Sequence, residues 1–82
     1  MAEASVPAAD QVLDCTGMAC PLPVVKTSQA IKKIDPGQVL ELLATDPGVE
    51  PDMKAWTGRT GNELVSIGKQ GEVFHVLIRR AK

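Results

Sequence analysis

The spacing of apolar residues changes repeatedly along the chain, and each change marks an element. "QVLDC" (Gln11 to Cys15) mixes apolar and polar residues over a short run and suits a first strand. Gly17 breaks it, and a short loop follows through Ala19. From there the period becomes helical. Cys20, Val24, Thr27, Ile31 and Ile34 recur at spacings of four, three, four and three, which places them on one face of a helix expected from Pro21 to Lys33. Lys26, Gln29, Lys32 and Lys33 fall elsewhere, and the last two put positive charge at the negative end of the helix. "DPG" (Asp35 to Gly37) stops the helix and turns the chain.

"QVLELLA" (Gln38 to Ala44) is apolar except for Glu41 and reads as a buried strand, followed by a second turn, "TDPG" (Thr45 to Gly48). In "VEPDMKAWTGRTG", Val49, Met53 and Trp56 share one helical face, Pro51 suits a first turn, and Asp52 sits at the positive end. Gly58 and Gly61 are expected to end this shorter helix. "NELVSIGKQGEVFHVLIRR" gives two strands around a turn near Lys69 to Gly71. In the second of them Phe74, Val76 and Ile78 alternate with Val73, His75, Leu77 and Arg79.

The order is βαβαββ. A parallel first unit with a right-handed crossover and a final antiparallel hairpin make an α+β fold. It is a two-layer α/β sandwich in which two helices cover one face of a mixed four-stranded sheet. The open face carries apolar residues, Leu77 among them, and offers a contact for a partner or a second copy. Residues 1–10 are small and polar and read as a disordered tail. Residues 11–82 read as a single domain.

With 82 residues the chain is near the size at which one core just suffices. A net charge of −1 does not suggest binding to nucleic acid through bulk positive charge. One Trp, one Phe and no Tyr provide no base-stacking platform. No secretory signal begins the sequence and no apolar run reaches membrane-spanning length, so a cytoplasmic protein without a membrane partner is expected. In that compartment the two cysteines stay reduced, and a Cys15–Cys20 bridge closing so short a loop would stabilise little.

Cys20 stands at the start of the helix, followed by Pro21 and Pro23. A helix N-terminus offers free N–H groups and the positive end of the dipole, which stabilise a thiolate. The prolines hold φ near the helical value and stiffen the turn, while removing two N–H donors. A hydrolase would need a histidine base, and the only histidine, His75, reads as an ordinary strand residue. Cys15, Cys20 and His75 make a poor zinc set, and no Gly-rich phosphate loop is present, so neither metal nor cofactor is expected. A lone activated thiol fits carrying a group better than turning over a substrate.

"LDCTGMACPLPVVKT" resembles the signature of the TusA/SirA-like sulfur carrier family, an Asp, a Gly and then Cys-Pro-x-Pro opening the first helix. Here these are Asp14, Gly17, Cys20, Pro21 and Pro23. The likeness continues through "IDPGQVLELLATDPG", "GNELVSI" and "VFHVLIRR". It implies the same sandwich fold and a sulfur relay component rather than a free-standing enzyme. By that resemblance Cys20 accepts sulfane sulfur as a persulfide from a donor such as a cysteine desulfurase or a rhodanese. It then passes the sulfur to an acceptor protein of the DsrE/TusD type or another kind. The family's uses include tRNA thiolation, cofactor metabolism and dissimilatory sulfur oxidation, with no direct nucleic-acid contact expected. Cys15 lies outside the motif and reads as a buried residue closing the first strand. Two alternatives stand beside the carrier: a redox switch through Cys15 and Cys20, and a regulatory or RNA-binding module.

Overall fold

The structure is a computed structural model that describes residues 9–19 and 22–81. The strands are β1 (Gln11–Cys15), β2 (Val39–Ala44), β3 (Glu63–Gln70) and β4 (Val73–Arg79). The helices are α1 (Leu22–Ala30), followed by a 3₁₀ turn at Ile31–Lys33, and α2 (Val49–Thr60). The sheet order is β1-β2-β4-β3, with β1 parallel to β2 and the other neighbours antiparallel. This is the expected α+β sandwich.

Alternation along β2 and β4 builds the core. Leu40, Leu42 and Ala44 are buried, as are Phe74, Val76 and Ile78, and they meet Ile31, Val49, Met53 and Trp56 from the helical layer. Each large apolar side chain so enclosed contributes about 1.5–3 kcal/mol relative to exposure. Val73, His75, Leu77 and Arg79 alternate onto the other face and are half-buried. Two threonines are also buried, and their hydroxyls donate to carbonyls one turn back, Thr27 to Pro23 (2.7 Å) and Thr57 to Met53 (2.8 Å). That satisfies groups whose burial without a partner would be costly. Asp10, just before β1, donates its N–H to the Val39 carbonyl and accepts the Val39 N–H on Oδ2, both at 2.8 Å.

Four details differ from the sequence pattern. The buried stripe of α1 is Pro23, Thr27, Ala30 and Ile31, continuing to Ile34, and Val24 is only half-buried. The Trp56 indole N–H donates to Ser28 Oγ (2.9 Å), which joins this flank of α1 to α2, and Val24, one turn earlier, packs against the core at its margin. The last turn before the "DPG" stop is 3₁₀ rather than α, because Ile34 is already extended (φ −106°, ψ 160°). Finally, α2 runs straight through Gly58 and ends at Gly61 alone. Gly58 costs about 1 kcal/mol as a helix residue, which packing of the neighbouring Trp56 and Thr57 overrides. Gly61 takes φ 81° and donates its N–H to the Thr57 carbonyl at 2.9 Å, the left-handed ending that suits glycine. The hairpin turn is Gly71–Glu72, one step beyond the expected place, since Lys69 and Gln70 still pair with Phe74 and Val73. Among the described residues no helix is long and apolar enough to cross a membrane.

Candidate functional site

Cys20 and Pro21 lie outside the described residues, and the segments that bracket them define the site. β1 delivers Asp14 and Cys15 to its end, where Cys15 pairs with Ala44 of β2. Asp14 Oδ1 accepts hydrogen bonds from the Thr16 N–H (3.0 Å) and the Thr16 hydroxyl (2.7 Å). These bonds, the hydroxyl's first, hold the Asp14 carboxyl below its ordinary pKa. The Met18 N–H closes a turn on the Cys15 carbonyl (3.1 Å), with Gly17 at φ 81° in its third position. A residue with a Cβ would be strained there. The Gly17 N–H leaves the segment and donates to Thr45 Oγ1 at 2.9 Å, a residue in the loop after β2. The Leu22 N–H then donates to the Ala19 carbonyl at 2.9 Å as α1 begins.

The sequence-predicted residues divide into two groups. Asp14 and Gly17 shape the loop, and Pro23 is buried under α1. Pro23 is thus a core residue as well as a constraint on φ. Cys15 is fully enclosed (0% exposed). Burial pushes its thiol pKa up, the Asp14 charge adds to that, and Lys26 opposes it. A buried neutral thiol is inert. His75 stands on β4 opposite Leu43 of β2. It alternates with the buried Phe74 and Val76, on the face away from the helices, and its Nδ1 lies 3.0 Å from Glu41 Oε2.

The mouth of α1 differs chemically from an ordinary helix start. Its first turn holds no acidic residue, so no side-chain carboxylate of that turn competes with an anion for the positive end. Leu22 and Val25, three apart on one side, are 47% and 44% exposed, and Val12 on β1 is 53% exposed. These three large apolar side chains sit in the two elements that flank Cys20. Lys26 beside them is exposed. At the opposite end of α1 a groove of about 550 Å³ is lined by Ser28, Lys32, Trp56 and Arg80, among others. Ser28 there accepts the Trp56 N–H, and Arg80 donates to the Ile34 carbonyl. Thr45 is the loop residue that sequence reasoning missed. "TDPG" announces a turn, but nothing local tells that its hydroxyl serves a residue 28 positions earlier.

Residues 11–80 match the family model described as "Sulfurtransferase TusA". A relative from Allochromatium vinosum, named "Sulfur carrier protein TusA", is 42% identical over 72 residues, covering 88% of this chain and 95% of that protein. A relative from Aquifex aeolicus is also 42% identical over 72 residues, but this chain spans only 36% of its length. The crystal structure of a SirA-like protein from Desulfitobacterium hafniense superposes with a TM-score of 0.76, covering 88% of this chain and 99% of that one. At 20% identity that likeness concerns the fold.

Proposed function

The chain belongs to the sulfurtransferase TusA family, and on that premise we propose that it is a sulfur carrier that holds sulfane sulfur as a persulfide on Cys20. The observation that carries this reading is the placement of the Cys-Pro-x-Pro motif. In the sequence Cys20 lies between a loop held by Asp14 and Thr45 and a helix whose first turn has no acidic side chain. The ring of each proline in the motif restricts φ to near the helical value, which suits a stiff helix start.

The chemistry is an exchange without net oxidation. The Cys20 thiolate attacks the outer sulfur of a donor persulfide. A new S–S bond forms, the donor's S–S bond breaks, and its electron pair leaves on the donor thiolate, which takes up a proton. Transfer onward repeats the step with a thiolate of the acceptor attacking the outer sulfur and Cys20 leaving. The positive end of α1 favours the anionic form before and after loading. No base, metal or cofactor is required, so the protein is a relay component rather than a free-standing enzyme. Its partners are a sulfur donor, a cysteine desulfurase or a rhodanese, and an acceptor of the DsrE/TusD type or another kind. The exposed Leu22 and Val25, two and five residues after Cys20 in the sequence, give such partners an apolar foothold. A cytoplasmic location keeps the thiol reduced between cycles. The enclosure of Cys15 argues against a disulfide switch through it.

Intact mass after incubation with a cysteine desulfurase and cysteine tests the reading. Wild type and Cys15→Ser should each gain one reducible sulfur atom, and Cys20→Ser none. A loss of two hydrogens that needs both cysteines would favour the redox switch instead. No gain with that donor or with a rhodanese and thiosulfate would sink the carrier assignment.

A further inference from the structure

We propose that Thr45 is a positioning residue for Cys20, acting through the backbone of Gly17; the proposal rests on the carrier reading above. Among the described residues, the other hydrogen bonds that shape this loop run within the segment itself, from Asp14 to Thr16, Cys15 to Met18 and Ala19 to Leu22. They fold the turn but leave its orientation toward the rest of the molecule to other forces. The Gly17 N–H bond to Thr45 Oγ1 (2.9 Å) spans 28 residues and ties the turn to the end of β2.

Packing does not hold that point. A Cβ built on Gly17 would have no heavy atom within 4 Å, and Thr16, Gly17 and Ala19 are exposed. Met18 touches the core and anchors one side chain, and the Thr45 hydroxyl holds the backbone at Gly17 itself. Thr45 itself is well placed for the task. It follows Ala44, which pairs with Cys15, so β1 and the acceptor for its loop share one strand end. Cys20 comes three residues after Gly17 and two before the first helical residue. Freeing Gly17 therefore loosens the chain three residues before Cys20, and on the carrier reading a thiol held less firmly gains less from a helix N-terminus.

The test compares Thr45→Val, which keeps the shape and removes the acceptor, with Thr45→Ser, which keeps the acceptor. The readout is the rate and pH midpoint of Cys20 alkylation by iodoacetamide, followed on the Cys20 peptide by mass. Thr45→Val should alkylate about three- to ten-fold more slowly at neutral pH, the factor to which one hydrogen bond's net worth corresponds. Its midpoint should move up, and Thr45→Ser should restore both. Thr45→Ala replaces Thr45→Val if the latter melts early. A Thr45→Val protein with wild-type rate and midpoint overturns the proposal, as does a Thr45→Ser protein that behaves like Thr45→Val. Sulfur uptake from a desulfurase separates the two ideas. If wild type takes up no sulfur while the alkylation series follows the expected order, the carrier reading fails and the positioning role stands. If all variants load sulfur and alkylate alike, the reverse holds.

Discussion

α1 and α2 lie on the same face of one sheet, and they differ in nearly every feature that stabilises a helix. α2 has Glu50 and Asp52 in its first turn, a Glu50–Lys54 pair at 3.4 Å and a left-handed glycine at its end. It buries Val49, Met53 and Trp56 against the core. α1 is shorter, has no acid in its first turn, and leaves Leu22 and Val25 in solvent. A helix selected only for stability would place an acid at its positive end and a polar residue at each exposed position. α2 places acids at its positive end and exposes no large apolar side chain. α1 departs from that rule in the turn next to Cys20, where an anionic sulfur and a docking protein would use what α1 leaves open.

The comparison breaks most visibly through α2. Met53→Ala removes a fully buried side chain and should cost about 2–5 kcal/mol in urea unfolding. Sulfur uptake per folded molecule should not change, and a loss of uptake in excess of unfolding would tie α2 to the chemistry. The mirror experiment, Leu22→Ser with Val25→Ser, should leave stability within about 0.5 kcal/mol. Transfer from a protein donor should then slow by about ten-fold, as for an interface anchor, while a small-molecule persulfide loads Cys20 at the wild-type rate. Equal slowing with both donors would show that these residues shape the thiol site rather than a docking surface. Gly61→Ala forces a Cβ into φ 81° and should cost about 1–2 kcal/mol of stability, measurable by thermal melting with no effect on Cys20.

The smallest effect concerns the pH response beneath α1. The folded Cys15 thiol has a raised pKa, so the unfolded chain ionises first as pH rises. The stability tied to the neutral thiol is therefore fully present below the ordinary thiol pKa and is lost as pH climbs through and above it. Urea midpoints followed upward from neutral pH should decline in wild type and less so in Cys15→Ala. Parallel curves for the two proteins would remove Cys15 as the cause.

Much of this architecture was legible residue by residue. The period-two run Phe74, Val76, Ile78 and the helical run Val49, Met53, Trp56 marked their buried faces, because side-chain direction in a strand or helix follows from backbone geometry alone. The "DPG" and "TDPG" stops were legible for the same local reason. The rotation of α1 was not, since Pro23 is fully enclosed while Val24 packs against the core only half-buried. Nor was the passage of α2 through Gly58, which intrinsic propensity disfavours and packing permits.

The candidate site divides along the same line. The order Asp14, Gly17, Cys20, Pro21, Pro23 is a property of the sequence, and the expectation of a thiol at a helix start rests on adjacent residues and their preferred φ. That Cys15 is sealed from solvent, that Leu22 and Val25 are not, and that Thr45 reaches Gly17 are decisions of the tertiary structure. They depend on which elements pack together and on a hydrogen bond between residues far apart in the chain, and no local pattern encodes either.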